Sequence, residues 1–312
     1  PWRPRPGSSD PPSGGRSEGI PWGPDTLLHP IAARTPMTPI EPTPHPLNRD
    51  FEWTPRRPPF AILTTEQAAS YDEDGFFILE DALDADTVAE LVDEIGPFER
   101  ELEEQLRRLE GGKAFIARAD EITFTTHLVT RSERLRAFVS EPPLADLCVD
   151  LIGPDVRLYW DQAVYKKPDT TASFPWHQDN GYAFLEPQQY LTCWIALTDA
   201  TEDNGCPWVV PGIHRMGTLQ HQPTETGLVC LDQPSDPLPA PVGAGGMVVL
   251  SSLTPHCTGP NRTDGVRKAY IVQYAPDGAA VLHDGGDSAP ARVNADAHDR
   301  QFEILRGGKR VV

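Results

Sequence analysis

After Gly153-Pro154 the chain breaks into short runs rich in β-branched and aromatic residues: "VRLYWDQAVYKKP", "YLTCWIALTDA", "PWVVPG", "GGMVVLSS" and "RKAYIVQYAP". Glycine, proline, asparagine or aspartate separates them. Such residues fit a pleated, half-buried surface, and the separators are turn formers. Closely spaced short strands of this kind predict an all-β sandwich or barrel. The expected class is mainly β (α+β), with a double-stranded β-helix, or jelly roll, over about residues 154–290 and a C-terminal tail beyond it.

The N-terminal third reads differently. Residues 1–60 are crowded with proline, glycine and serine and show no apolar periodicity. They cannot bury enough surface to offset chain entropy, so an extended or disordered arm is expected, parts of which can drape over the core. A single domain is expected over 61–312, with a helical layer at about 61–153. Thr64 or Thr65 can cap a first short helix, Gly75 ends it, and "FFIL" reads as a strand. Asp84 or Asp86 then caps "TVAELVDEIGPFERELEEQLRRLEG", where Val88, Leu91, Val92 and Ile95 recur at helical spacing. Gly96-Pro97 is expected to break or kink this helix. A second helical stretch is expected over "SERLRAFVSEPPLADLCVDLIG".

Charge narrows the function classes. The 46 acidic residues against 27 basic ones give a net charge of −19. Such a field repels phosphate backbones and anionic bilayers, so neither nucleic acid nor membrane is an expected partner. No apolar run reaches the roughly 18 residues of a membrane-spanning helix. The first residues, "PWRPRPGSSD", show no apolar signal-peptide region, although residue 1 is proline rather than methionine. The cysteines at 148, 193, 206, 230 and 257 are odd in number and form no CxxC pair. That argues against a zinc knuckle or a disulfide framework and for a reducing cytoplasm. Oligomeric state is not readable.

Chemistry concentrates in "PWHQDNGY", residues 175–182. Side chains at i and i+2 of an extended segment share a face, so His177 and Asp179 can meet one ion while Gln178 points away. His256, just beyond "GGMVVL", is the candidate third ligand. Two histidines and a carboxylate make a facial triad that suits non-haem Fe(II) and leaves open positions; zinc is the chemical rival. Thr258 and Arg267 follow His256 closely. A dicarboxylate cosubstrate could chelate the metal with one end and meet these two with the other, since a guanidinium pairs a carboxylate bidentately. For Arg267 alone, a surface salt bridge is the competing reading.

These pieces resemble the phytanoyl-CoA dioxygenase family of Fe(II)/2-oxoglutarate-dependent oxygenases, whose core is a cupin-like jelly roll. The matching stretches are "KKPDTTASFPWHQDNGY", "LTCWIALTDATEDNGCPWVVPGIHR", "GGMVVLSSLTPHCTGPNRT" and "RKAYIVQYAP", and "YDEDGFFILEDAL" resembles the family's opening strand. Ile213 stands where the family usually has serine. The resemblance covers about 65–290. It implies His177, Asp179 and His256 as iron ligands, Arg267 as the anchor of the distal carboxylate of 2-oxoglutarate, Thr258 as its hydroxyl partner, and Trp194 as an aromatic packed beside it. Gln162, for the cosubstrate, and Lys166, for the substrate, are further pocket candidates. Related halogenases carry a small residue in place of the carboxylate ligand, so Asp179 implies hydroxylation or another oxidation rather than halogenation. Hydroxylation is the default, and desaturation, epoxidation or ring formation would use the same residues. Fe(II), 2-oxoglutarate and O2 are thus the expected cofactors, with succinate and carbon dioxide as coproducts and a small-molecule metabolite as substrate. The alternative is a cupin-type divalent-metal hydrolase or isomerase that does not use 2-oxoglutarate.

Trp176, Tyr182, Phe184 and His127 are candidates for the substrate mouth, each with packing as the simpler reading. The resemblance implies that His214 is a structural or outer-pocket residue, and His221 is expected to be a loop residue. The glycines of "GAGGMVV" lack the context of a dinucleotide fingerprint, and "ERELEEQLRRLE" reads as a solvated helix face.

Overall fold

The computed structural model describes residues 39–285 and 289–311. The helices are α1 (Thr65–Glu73), α2 (Ala85–Arg108), α3 (Glu133–Phe138) and α4 (Leu144–Leu151). The principal strands are β1 (Phe76–Leu79), β2 (Ile122–Thr126), β3 (Val156–Lys166), β4 (Phe174–His177) and β5 (Leu191–Ala196). They continue with β6 (Pro207–Val209), β7 (Leu238–Pro239), β8 (Met247–Ser251), β9 (His256–Thr258) and β10 (Arg267–Pro276).

Thr64 caps α1 through a capping box with Gln67 rather than with the adjacent glutamate. Gly75 then turns the chain into β1 at φ +86, where a Cβ would lie 2.4 Å from Thr254 Oγ1. Only glycine fits both demands. Asp84 caps α2 by accepting from Thr87 N at 2.7 Å.

The expected break at Gly96-Pro97 does not occur: α2 runs through it as one element. Its buried face carries Leu91, Ile95 and Leu106 into the core, and Glu99 accepts a hydrogen bond from Thr123 of β2. These contacts on both sides of Pro97 outweigh the lost backbone bond. The second helical stretch is two helices, not one. Pro142-Pro143 separates α3 from α4, because proline's ring and missing N–H cannot continue a helix.

Two antiparallel sheets form the jelly roll. The larger runs β1-β8-β5-β10-β3-β2, and the smaller β7-β6-β9-β4. Alternation along the strands divides the core. Cys193, Ile195, Tyr270 and Val272 face the helices, packing with Leu91, Ile95, Phe138 and Leu147. Trp194, Ala196, Ala269, Ile271, Val248 and Leu250 face inward, against Val209 and Cys206 of the smaller sheet's side.

Of the segment expected as an arm, residues 39–60 run in extended form along the fold. Ile40 N donates to Asp232, His45 N to Thr218 O, and Trp53 Nε1 to Asp72. The rest of that segment lies outside the described residues. The expected C-terminal tail contains Glu303–Arg306, which adds to the edge of β3.

Candidate metal centre and cosubstrate cradle

The smaller sheet makes the site. β4 and β9 pair so that His177 and His256 are direct cross-strand partners, with their rings 4.2 Å apart. The strand ends at His177, so Asp179 is not a second strand residue. It opens a 3₁₀ turn, Asp179–Gly181, that swings its carboxylate back toward the histidines. Asp179 Oδ1 lies 3.8 Å from Nε2 of each histidine. One ligand atom from each of the three residues falls within 4.8 Å of the others, the one such cluster among the described residues.

The outer atoms of the candidate ligands are already committed. His177 Nδ1 donates to Pro175 O at 2.8 Å, and His256 Nδ1 to Thr254 O at 3.0 Å. Each bond fixes the tautomer that leaves an Nε2 lone pair aimed inward. Burial, helped by the adjacent His256 ring, holds His177 well below the ordinary imidazole range and therefore neutral. Phe174 and Tyr182 stand edge-on to the His177 ring at 4.8 and 5.5 Å. The donor set and its orientation fit a divalent ion of the Fe(II) or Zn(II) kind.

A cationic cradle adjoins the triad. Arg267 and Lys166 are cross-strand partners on β10 and β3 and share the inner face with Ile271 and Val164. Lys166 Nζ donates to Thr258 Oγ1 at 3.2 Å and also to Gly259 O. Thr258 lies two residues beyond His256 on β9, which links cradle to metal centre. Arg267 is only 1% exposed, and among the described residues none of its three guanidinium nitrogens has a hydrogen-bond partner. Trp194 lies 5.1 Å from the guanidinium. Burial lowers Arg267 to about 10 and, helped by Arg267 itself, Lys166 to about 7. An uncompensated buried guanidinium costs several kcal/mol. The cradle therefore calls for an anion, and a carboxylate meets its fork geometry.

The other expected site residues divide. Gln162 is half-buried on the inner face of β3, opposite Ile271 and Thr126. Tyr182 touches His177 as above. Trp176 does not join them: strand alternation turns it to the opposite face, against Val210, Leu219 and Cys230. Phe184 is buried against His45. His127 sits 4.3 Å from Trp160 in the left-handed backbone region, with Nδ1 buried and unpartnered among the described residues. His214 is buried against Trp53 and far from ligand duty.

Two supports escaped the sequence reading. His221 accepts from Gln178 N at 2.9 Å and lies under Gly181, where a Cβ would come within 2.0 Å of its ring. The glycine after "HQDN" was the available signal of a close approach. Thr192 of β5 donates to Asp179 Oδ2 at 2.6 Å, and nothing in "LTCWIAL" marks it.

Comparison with known proteins accords with this geometry. The sequence profile of the family described as phytanoyl-CoA dioxygenase (PhyH) matches residues 71–269. The chain is 24% identical over 274 residues to phytanoyl-CoA dioxygenase domain-containing protein 1 of Mus musculus, covering 72% of this chain and 94% of that one. It is 26% identical over 235 residues to the probable alpha-ketoglutarate-dependent hypophosphite dioxygenase of Stutzerimonas stutzeri, covering 67% and 78%. The fold is shared with the epimerase SnoN, solved with Fe3+, alpha ketoglutarate and nogalamycin RO, at TM-score 0.60 and 22% identity over 77% of this chain and 97% of that one. A clustered His-Asp-His triad on a jelly roll and a family match across most of the fold lead to one assignment: the chain belongs to the phytanoyl-CoA dioxygenase family and is a non-haem Fe(II)/2-oxoglutarate-dependent dioxygenase.

Proposed function

We propose that the protein hydroxylates a C–H bond of a small-molecule metabolite, holding Fe(II) with His177, Asp179 and His256 and 2-oxoglutarate with Arg267, Thr258 and Lys166. The observation that carries this reading is the buried, unpartnered guanidinium of Arg267 beside the triad. A metal-dependent hydrolase or isomerase that does not use 2-oxoglutarate needs no partner for a distal carboxylate.

Iron(II) supplies the redox chemistry that couples 2-oxoglutarate decarboxylation to C–H oxidation. The overall balance is substrate C–H plus 2-oxoglutarate plus O2 giving substrate C–OH plus succinate plus carbon dioxide. The chain's own groups do the rest. Arg267 pairs the distal carboxylate through its fork, and Thr258 keeps its hydroxyl proton for the same carboxylate because Lys166 donates to its oxygen. Lys166, a substrate candidate from sequence, is thereby reassigned to the cosubstrate. Trp194 packs beside the guanidinium and keeps water from it. Tyr182 and His127 remain our candidates for the substrate side, and Gln162, on the inner face opposite Ile271, remains our candidate for the cosubstrate. Five unpaired cysteines accord with a reducing, cytoplasmic setting. Among the described residues no helix is long and apolar enough to cross a membrane.

The test is an anaerobic titration with Fe(II) and then 2-oxoglutarate, following the visible charge-transfer band of the chelate. Wild type develops the band; His177→Ala loses it; Arg267→Ala binds Fe(II) but needs at least about tenfold more 2-oxoglutarate, as expected for a lost charged hydrogen bond of roughly 1.5–3 kcal/mol. Undiminished 2-oxoglutarate turnover in Arg267→Ala would remove the basis of the proposal.

A further inference from the structure

Both histidines of the triad come from one pair of strands in the smaller sheet, but Asp179 does not depend on that sheet alone. Its two oxygens have different neighbours. Oδ1 faces the two Nε2 atoms. Oδ2 accepts from Thr192 Oγ1 at 2.6 Å, a length typical of a hydroxyl donating to a charged carboxylate. Thr192 belongs to β5 in the larger sheet and is 1% exposed. An ionised carboxylate can only accept, so the hydroxyl proton points at Asp179, and the threonine oxygen is left to accept in turn. Gln273 of β10, the cross-strand partner of Thr192, supplies that donor from Nε2 at 3.4 Å.

We propose that Thr192, backed by Gln273, is a positioning residue that ties up one oxygen of Asp179 and restricts it to presenting a single oxygen to the metal. The chain Gln273→Thr192→Asp179 joins the larger sheet to the turn that follows β4 of the smaller one. A carboxylate free to offer both oxygens would occupy one more position on the ion, and that position is needed when a cosubstrate must also bind. The inference rests on the metal-binding role proposed above for Asp179, and is independent of whether 2-oxoglutarate fills the cradle.

The experiment uses Co(II) as the probe, because its visible absorption changes in intensity with coordination number and needs no oxygen-free handling of the cosubstrate. Metal-free wild type, Thr192→Val, Thr192→Ser and Gln273→Leu are titrated with Co(II), and each is checked for unchanged thermal unfolding without metal. Thr192→Val keeps the shape of the side chain and removes the donor. It is expected to change the cobalt spectrum and alter affinity by about 10-fold or more, the usual scale for partners of metal-ligating groups. Thr192→Ser retains both wild-type spectrum and affinity, while Gln273→Leu moves in the same direction as Thr192→Val by a smaller amount. A Thr192→Val protein with the wild-type spectrum and affinity overturns the proposal. So does equal damage from Thr192→Ser, which would assign the effect to packing of the methyl group. If valine prevents folding, the Thr192→Ser and Gln273→Leu comparison decides alone: an altered serine spectrum, or a leucine spectrum identical to wild type, counts against the hydrogen-bonded chain. A protein that binds Co(II) as expected but shows no 2-oxoglutarate band would fail the proposed function and leave this inference standing; no Co(II) binding in wild type would overturn both.

Discussion

Lys166 gives the cationic cradle a pH dependence of its own. Its ammonium is wholly buried beside Arg267, and burial lowers it to about 7. Below that value the group is already charged and attracts a dicarboxylate. Above it, binding must also draw a proton onto the amine, so affinity falls as pH rises. We expect 2-oxoglutarate to bind progressively more weakly above about pH 7, and Lys166→Met to bind weakly with a flatter profile, both measurable by calorimetry across that range. A wild-type affinity that rises with pH would refute it. The residues that could be read from sequence were those whose chemistry is rare in a strand: a histidine and aspartate two apart, a late histidine, an arginine on an apolar run. Thr192 and Gln273 could not, since threonine is at home in any strand and the carboxylate it serves arrives from a turn beyond the end of another sheet's strand. Trp176 misled for a simpler reason. It neighbours His177 in sequence, and in a strand neighbours point apart.

At the level of elements, α2 shows where local rules yield. Helical spacing, the Asp84 cap and the apolar face were legible, yet Gly96-Pro97 argued for a break that packing overrides. The exposed Pro97 can take no part in that packing. Replacing it with alanine restores a backbone hydrogen bond and relieves the ring from the preceding turn, gains of roughly 3 kcal/mol in a typical helix interior. Loss of proline's restriction on the unfolded chain offsets about 0.4–1 kcal/mol of this. Pro97→Ala should therefore raise stability by about 2 kcal/mol in urea unfolding, with activity unchanged; a destabilised variant would mean the proline fits this turn better than alanine. The strand runs after Gly153 were readable because turn residues fence them. Their division into two sheets was not, since pairing partners such as β4 and β9 lie far apart along the chain.

Across the whole molecule, two ligands that bind only the folded form should stabilise it by mass action. A ligand at 100 times its dissociation constant contributes about 2.7 kcal/mol. Metal and then 2-oxoglutarate, added anaerobically, should each raise the unfolding temperature by several degrees, and a chelator should reverse both increments. Arg267→Ala should keep the first increment and lose most of the second. An unchanged unfolding temperature with both present would argue against either ligand at this site. The pairing of His177 with His256 has a wider consequence. Apolar packing tolerates some sliding of one strand along another, whereas a shift of a single residue would turn one imidazole to the opposite face. An ion held as we propose would thus act as a checksum on strand alignment: a misaligned chain could still collapse, but only the correct one would retain iron.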